Sequence, residues 1–311
     1  MAKKLTSLEL CAGAGGQALG LEMAGFEHVA LVEIDKDACA TLRLNRPNWN
    51  TLNLDLKAFR ADQFIGVDLV AGGVPCPPFS KAGKQLGAKD ERNLFDEALR
   101  IIEEARPRAV MLENVRGLLD DVFADYRQSL LDRLHSLGYK AEWKLLNASD
   151  FGVPQLRPRA ILVALQESLW DKFEWPLATG CQVTVGSALL DLMTENEWQG
   201  ASEWATRANT IAPTLVGGSK KHGGPDLGPS RARKAWASLG VDGGGLADAA
   251  PEARFEGMPR LTTRMAARLQ GFPDSWEFWG RKTTTYRQIG NAFPPPVALA
   301  VGQRIVKALR N

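Results

Sequence analysis

The sequence has few of the side chains that hold metals or form disulfides. Among its 311 residues are three histidines and four cysteines, and the cysteines, at positions 11, 39, 76 and 181, show no short paired spacing. Zinc sites and disulfide frameworks are built from closely spaced groups of such residues. The sequence therefore predicts no metal site, and thiols that are free.

Long apolar segments are missing as well. No stretch approaches the ~18 consecutive apolar residues that a membrane span needs, and the start, MAKKLTSLELC, has no secretory apolar core. Since 45% of the residues are apolar, the chain can bury a sizeable core. We expect a folded protein of the cytoplasm with no membrane partner.

Charge is nearly balanced over the whole chain but not along it. The net charge of +2 by itself predicts no nucleic-acid partner. Residues 206–287 contain 13 Lys and Arg against 7 Asp and Glu, which gives +6 there and leaves −4 elsewhere. Glycine and proline also cluster in this segment, so we expect a loop-rich second domain at 183–285 and a first domain at 1–182, completed by 286–311.

Apolar runs alternate with amphipathic stretches before residue 183. The runs SLELC, HVALVEI, DLVAGG, AVMLENV and AILVAL predict buried strands. The stretches QALGLEMAG, KDACATLRLN, LFDEALRIIEEA and YRQSLLDRLHSLG predict helices, as does the final PPPVALAVGQRIVKALRN. This order predicts an α/β fold with a mainly parallel sheet and helices on both faces, which binds ligands beyond the carboxyl ends of its strands.

Glycines and an acidic residue follow the first two predicted strands. The turn LCAGAGGQALGLE contains Gly13, Gly15 and Gly16, which let the backbone turn sharply and approach a ligand. Glu33 ends the next strand, where its carboxylate is placed to accept from ribose hydroxyls. This arrangement favours a nucleoside cofactor, and at this point nicotinamide and adenosylmethionine cofactors both remain open.

One cysteine lies between two proline corners. The run GGVPCPPFSKAGK follows a predicted strand and places Cys76 there, which indicates either a nucleophilic thiol in a cleft or a buried structural cysteine. Glu113 ends a later strand, and Arg157 and Arg159 precede another. A thiol, a carboxyl group and arginines that converge on one sheet edge favour a nucleophile, a proton donor and an anchor.

Eight segments together resemble the bacterial-type DNA cytosine-5 methyltransferases. They are, in the order of that family, LELCAGAGGQALGLEMAGF, VEID, PCPPFSKAGKQ, ERNLFDEALRI, LENVRGL, QLRPR, RLTTRMAARLQGFPDSW and RQIGNAFPPPVA. The resemblance spans nearly the whole chain. It implies a Rossmann-like domain that uses S-adenosyl-L-methionine and releases S-adenosyl-L-homocysteine, a smaller target-recognition domain, and sequence-specific methylation of double-stranded DNA.

The resemblance also implies a mechanism. A cytosine is flipped out of the duplex, and Cys76 adds to C6 so that C5 becomes nucleophilic. Glu113 holds or protonates N3, and Arg159, with Arg157 beside it, supports the O2 side of the ring. Residues 80–94 are expected to close over the base, in which case Gly83→Pro would cripple turnover.

The resemblance assigns residues to two binding sites. The cofactor site is expected to contain Cys11, Ala12, Gly13, Gly15, Gly16, Glu33, Ile34, Asp55, Leu56, Pro75, Leu94 and Asn291. The DNA-binding residues are expected to include Ser80, Lys84, Gln155, Thr214, Leu215, Lys220, Lys221, His222, Arg231 and Arg233. Cys11 stands where the family usually has phenylalanine, so the adenine loses an aromatic contact and Cys11 is not expected to be catalytic.

Three other interpretations remain in view. A related branch methylates cytosine in transfer RNA, although PCPPFS and the recognition segment look more like the DNA enzymes. A DNA-binding protein without catalysis is disfavoured because Cys76, Glu113 and Arg159 are all present, and a nicotinamide oxidoreductase gives Cys76 and Glu113 no shared task. We expect a monomer on DNA, either with a restriction endonuclease that shares its site or as an orphan methylase.

Overall fold

One seven-stranded sheet organises the protein, whose computed structural model describes residues 4–75, 94–218 and 224–311. Its strands are β1 (Leu5–Leu10), β2 (Phe26–Glu33), β3 (Thr51–Asn53), β4 (Leu69–Gly72), β5 (Ala109–Val115), β6 (Tyr139–Asn147) and β7 (Pro158–Gln166). Their order is β3-β2-β1-β4-β5-β7-β6. Strands β1 to β5 pair with their neighbours in parallel, and β7 runs antiparallel to β5. The predicted α/β fold with a mainly parallel sheet is confirmed.

Helices connect most of the strands and continue after them. In the described ranges they are α1 (Gly16–Ala24), α2 (Lys36–Asn45), α3 (Phe95–Ala105), α4 (Ala124–Ser136), α5 (Glu167–Trp170), α6 (Val185–Met193), α7 (Ala201–Arg207), α8 (Ser230–Ser238), α9 (Thr263–Leu269), α10 (Lys282–Asn291) and α11 (Pro295–Arg310). Within these ranges, no helix combines the length and the apolar character that crossing a membrane requires.

The chain divides into two compact units. The first comprises Met1–Leu146, Pro158–Leu177 and Val297–Asn311, and the second comprises Asn147–Arg157 and Ala178–Pro296. The first unit contains the sheet, whereas the second contains α6 to α10, short helices joined by long loops. The functional division at residues 183 and 286 stays a prediction.

The core of the first unit lies where helices cover the sheet. Helix α3 shows the principle, because Phe95, Leu99 and Ile102 recur at helical spacing and are all buried. Its other side carries the half-buried Arg100, whose guanidinium donates to the carboxylates of Glu97 and Glu104 at 2.8 and 2.7 Å and to the carbonyls of Leu56 and Phe59. The apolar stripe fixes the face that packs in the core, and the polar contacts tie the other face to the segment at residues 56–59.

A buried polar cluster lies beneath the connection from β1 to α1. His28 Nε2 donates to the Ala18 carbonyl at 2.9 Å, so its Nδ1, 2.7 Å from the Ser7 hydroxyl, accepts. Gln17 Nε2 donates to Glu9 Oε2 at 2.9 Å. Burial raises the pKa of Glu9 to about 7 and lowers the pKa of His28 to about 4. Both groups therefore favour their neutral forms in the folded protein.

The two shifts make opposite contributions to stability over one pH window. The stability contributed by Glu9 is complete below its ordinary pKa of 4.5 and is lost as pH rises through about 7. The stability contributed by His28 is complete above 6.5 and is lost as pH falls through about 4. Between pH 4.5 and 6.5 the fall in the Glu9 contribution and the rise in the His28 contribution largely cancel, so the free energy of unfolding changes little with pH on account of these two groups.

Glu9→Gln removes one of these contributions while keeping the shape of the side chain. We expect the variant to be more stable than the wild type at pH 8 by about 2–3 kcal/mol, and to lose this gain by pH 4.5. Urea unfolding followed by circular dichroism from pH 4.5 to 8 measures the difference. Glu27→Gln, at a largely exposed position, is the matched control. A gain that is absent, or equal at every pH, would contradict this account.

Candidate active site

The turn between β1 and α1 depends on residues with left-handed backbone conformations. Gly13 and Gly15 have φ angles of 55° and 88°, which glycine adopts without steric cost. Among the described residues, no atom lies within 4 Å of a methyl group built on Gly13. The Gly13 N–H donates to Glu33 Oε2 at 2.7 Å, which ties this turn to the end of β2. The turn thus has a fixed shape and an open side.

Glu33 is the buried acceptor at this edge. Its other oxygen accepts from the Asp35 N–H at 2.7 Å, and burial raises the pKa of its carboxyl group. The Ile34 N–H is a third backbone donor to this carboxylate, which offers about four lone pairs when ionised, so Glu33 retains capacity for a ligand hydroxyl. The next residue, Ile34, is 64% exposed. A buried acceptor beside an exposed apolar side chain suits a ribose that carries a planar base.

Other residues predicted for the cofactor have different surroundings. Asp55 is exposed, and its carboxylate accepts from the Lys57 N–H at 2.9 Å. Leu56 is 3% exposed and belongs to the core, so its side chain presents no surface to a ligand. The Leu94 N–H donates to the Pro75 carbonyl at 3.3 Å, which joins the two ends of the intervening segment.

Cys11 occupies the start of the glycine turn. Its φ angle of 51° is unusual for a residue with a side chain, and such strain typically costs about 1–3 kcal/mol. Burial, together with the negative charges of Glu33 and Asp55, raises the pKa of this thiol to about 12. A thiol kept protonated is a poor nucleophile. The expectation that Cys11 is not catalytic stays a prediction.

Glu113 on β5 and Arg159 on β7 form a buried ion pair. Arg159 Nε donates to Glu113 Oε1 at 2.7 Å, and 12% of each side chain is exposed. The antiparallel register pairs Glu113 with Ile161, so Arg159, two residues away on β7, lies on the same face of the sheet. Burial lowers the pKa of Arg159 and Glu113 opposes that shift, so the guanidinium keeps its charge. The pair fixes a carboxylate near the carboxyl end of β5.

The chain that leaves β4 is held against this pair. Asn114 Nδ2 donates to the Val74 carbonyl at 2.8 Å, while its Oδ1 accepts from the Val115 N–H at 2.9 Å. A methyl group built on Gly73 would lie 3.3 Å from Glu113 Oε2, so glycine leaves room for the carboxylate. Pro75 follows at once. The segment that leads into Cys76 is therefore anchored one residue before Pro75.

Several predicted site residues lie outside the described residues. They are Cys76, Ser80, Lys84, Lys220, Lys221 and His222, and the predicted lid with Gly83 lies almost wholly outside as well. Their assignments stay predictions.

Two residues predicted to bind DNA are buried in the second unit instead. Gln155 and Leu215 have exposed fractions of 0% and 1%, so neither side chain is presented to a duplex. The Leu215 N–H donates to Gln155 Oε1 at 2.9 Å. Both residues make internal contacts in this structure, and their assignment to DNA binding stays a prediction.

Arg157 also differs from its sequence-based assignment in its contacts. Its side chain is 1% exposed and donates to backbone carbonyls of the second unit, those of Leu215, Gly290 and Ala292. Asn291, predicted for the cofactor site, donates from Nδ2 to the Gly218 carbonyl at 3.2 Å. These contacts favour a framework role for Arg157 in the second unit.

The remaining predicted DNA contacts are more accessible or only partly engaged. The Thr214 hydroxyl donates to the Leu156 carbonyl. Arg231 and Arg233 are exposed on α8, beside the exposed Lys234. A positively charged helix face of this kind remains available to phosphates.

Sequence reasoning missed functions for two residues next to the ion pair. Gly73 stands only within the runs DLVAGG and GGVPCPPFSKAGK in the sequence-based prediction, although a doubled glycine before Val74 is typical of a close approach between segments. Asn114 follows Glu113 directly, but no local pattern shows that its amide donates to the Val74 carbonyl in the segment after β4.

The sequence matches the family model described as C-5 cytosine-specific DNA methylase over residues 5–307. The Type II methyltransferase M.NaeI of Lentzea aerocolonigenes is 58% identical over 313 residues, which cover 99% of this chain and 76% of that protein. The Type II methyltransferase M.NgoMIV of Neisseria gonorrhoeae is 56% identical over 312 residues, 99% of each.

A solved structure supports the fold. The methyltransferase EhMeth of Entamoeba histolytica matches with a TM-score of 0.70 at 14% sequence identity, over 99% of this chain and 100% of that one. At this identity the likeness concerns the fold alone.

The raised pKa of Cys11 predicts that its thiol reacts slowly with alkylating reagents. Relative to an ordinary value of 9.0, a pKa of about 12 lowers the thiolate fraction at pH 8 by about 1,000-fold. We expect iodoacetamide at pH 8 to alkylate Cys11 at least ten times more slowly than the exposed Cys181, as measured by peptide mass spectrometry. In urea the two rates should converge. Equal rates in the folded protein would show that the thiol of Cys11 is not suppressed.

Proposed function

The chain belongs to the C-5 cytosine-specific DNA methylases and is a DNA cytosine-5 methyltransferase, and from this premise we propose that it methylates one cytosine within a short recognised sequence of duplex DNA. The observation that carries the proposal is the Glu113–Arg159 ion pair, next to the anchored segment that leads into Cys76. A carboxyl group, a guanidinium and a cysteine in this relation serve addition to a pyrimidine ring.

The residues of the first unit fit S-adenosyl-L-methionine. The open side of Gly13 suits the amino-acid arm, the remaining lone pairs of Glu33 suit the ribose, and exposed Ile34 offers an apolar face to the adenine. The exposed carboxylate of Asp55 suits the adenine amino group. When bound, this cofactor supplies an electrophilic methyl group and leaves as S-adenosyl-L-homocysteine.

In the proposed mechanism Cys76 attacks the ring first. Its thiolate bonds to C6 of a flipped cytosine, and the electron pair of the C5–C6 double bond moves toward C5 and N3. Glu113 acts here in its protonated form: it donates a proton or a hydrogen bond to N3, which stabilises the charge that the attack develops. Arg159 orients this carboxyl group and supports the O2 side of the ring.

The ring then returns to its aromatic state. Once C5 carries the methyl group, a water molecule acts as the base that takes the C5 proton, and the electron pair of that C–H bond re-forms the C5–C6 double bond and expels Cys76 Sγ from C6, while N3 returns its proton to Glu113. Because attack and departure use the same sulfur, the position of Cys76 must hold through both steps. The Asn114 contact with Val74 and the restricted backbone of Pro75 support such a fixed position.

We test the function by transfer of labelled methyl groups to duplex DNA and, separately, to transfer RNA, with wild type and Cys76→Ala. Label on DNA that disappears in the variant, and that bisulfite sequencing maps to one short recurring site, is the expected result. Label on RNA alone would show that the substrate is RNA and not DNA, and label on neither would contradict the proposal.

The same mapping bears on the biological context. Two relatives that match almost this whole chain are Type II methyltransferases. We therefore propose that a restriction endonuclease acts on the same site without necessarily binding this protein. DNA methylated by this enzyme should resist such an endonuclease.

Glu113→Gln separates chemistry from cofactor binding. The amide keeps the size of the side chain but does not transfer a proton to N3, so we expect the methyl-transfer rate to fall by about 10²–10⁴-fold. Calorimetry should show unchanged affinity for S-adenosyl-L-methionine. Glu97→Gln, which alters a carboxylate that pairs with Arg100 on α3, should keep full activity. Full activity of Glu113→Gln would remove Glu113 from the mechanism.

The pattern of ion pairs supports a further proposal about the cations that contact DNA. Arg264 pairs with Glu195 and Asp274, so its charge is already compensated. On α8, by contrast, Arg231 is exposed to solvent. We infer that α8 contributes phosphate contacts, and that α9 does not.

Salt dependence tests this assignment. Arg231→Ala should weaken DNA binding and reduce the slope of log K against log salt concentration by about 1, because one fewer counterion is released. Fluorescence anisotropy of a labelled duplex between 50 and 200 mM NaCl measures the slope. The control Arg264→Ala should leave it unchanged. The same slope for Arg231→Ala and wild type would exclude this phosphate contact.

A further inference from the structure

A buried polar node in the second unit holds both backbone groups of Leu215. The Leu215 N–H donates to Gln155 Oε1 at 2.9 Å, and its carbonyl accepts from Arg157 Nη1 at 2.9 Å. Gln155 and Arg157 lie two residues apart on a segment that runs parallel to the chain at Ala212, so their side chains point the same way. Leu215 is therefore fixed from both sides of its backbone.

The same guanidinium reaches the end of α10. Arg157 Nη2 donates to the carbonyls of Gly290 and Ala292 at 2.7 and 3.0 Å. Gln155 Nε2 meanwhile donates to Gln270 Oε1 at 2.8 Å, and Gln270 donates in turn to the Ala292 carbonyl. One rigid planar group thus spans the distance between Leu215 and the end of α10, a geometry that lysine cannot reproduce.

Gly217 and Gly290 are in close backbone contact. A methyl group built on Gly290 would lie 2.4 Å from the Gly217 nitrogen, and one built on Gly217 would lie 2.6 Å from the Arg287 carbonyl oxygen. Contacts this short with backbone atoms force a displacement. Asn291 Nδ2 also donates to the Gly218 carbonyl at 3.2 Å. Residues 215–218 therefore pack directly on the backbone of α10.

Stability alone does not explain this arrangement. A fully buried guanidinium loses its hydration, and an apolar core of equal volume is often as stable or more so. The guanidinium instead contributes geometry, because its directional hydrogen bonds fix the distance between Leu215 and the end of α10. Basic side chains follow the fixed segment in sequence, with Lys220 and Lys221 just after it and the exposed cations of α8 beyond.

We propose that Arg157 and the Gly217–Gly290 contact are positioning elements for DNA site selection, an inference that rests on the proposed function. They set the placement of residues 215–218 against α10, and the discrimination between the correct site and its single-base variants depends on that placement. Each well-placed base contact adds to this discrimination and is lost by small displacements.

Two variants test the proposal. Arg157→Lys keeps the charge but not the fork, and Gly217→Ala adds one methyl group against the backbone of α10. Matched controls are Arg207→Lys, whose exposed guanidinium also donates to a backbone carbonyl, that of Ala237, and Gly224→Ala, where added volume meets only ordinary contacts. Each protein is assayed on plasmid DNA that contains the mapped site and its single-base variants.

The informative readout is a ratio. We expect both variants to lower the ratio of methylation at the mapped site to methylation at single-base variants by at least fivefold and to raise the KM for DNA. Affinity for S-adenosyl-L-methionine should stay within twofold of wild type. The two controls should match wild type. A merely structural role would lower the amount of active protein equally for all sites and leave the ratio unchanged.

The outcomes separate the two proposals. An unchanged ratio in folded Gly217→Ala overturns the positioning role even if Arg157→Lys fails to fold, and failure of both variants to fold assigns the node to folding and overturns it too. A wild type that methylates no DNA overturns the proposed function itself.

Discussion

The parallel alignment of β1, β2, β4 and β5 is the constraint on which the site depends. Because these strands run in one direction, the glycine turn, Glu33, Pro75 and Glu113 all reach the same edge of the sheet, although they are far apart in sequence. The reversal of β7 matters equally. Its first residues lie at that edge because it is antiparallel to β5, and this brings Arg159 to Glu113.

Burial then decides which groups at this edge carry charge. Cys11 is held as a thiol by burial and neighbouring carboxylates, whereas Arg159 keeps its charge because Glu113 offsets the cost of burial. Under the proposed mechanism this leaves one nucleophilic sulfur, that of Cys76. In the second unit a buried guanidinium has a different role. Arg157 donates to backbone carbonyls, and these hydrogen bonds fix the distance between the segments that carry them.

The sequence was sufficient for the elements with strong patterns and insufficient for those defined by distant contacts. The apolar runs predicted β1, β2, β4, β5 and β7, but not β3, which has three residues, or β6, whose half-exposed pattern reflects its place at the sheet edge. Glu113 and Arg159 could be proposed as partners from their strand ends. The burial of Gln155 and Leu215 could not, because it depends on a pairing between segments more than fifty residues apart.

The most direct test of the account is a covalent trap at Cys76. Duplex DNA with 5-fluorocytosine at the mapped position is incubated with the enzyme and S-adenosyl-L-methionine, and denaturing electrophoresis with peptide mass spectrometry follows. Fluorine does not leave C5 as a cation, so the expulsion of Cys76 stops and the adduct persists. The account predicts a near-stoichiometric adduct on Cys76 that is absent in Cys76→Ser. Methyl transfer without an adduct, or an adduct on another residue such as Cys11, would contradict it.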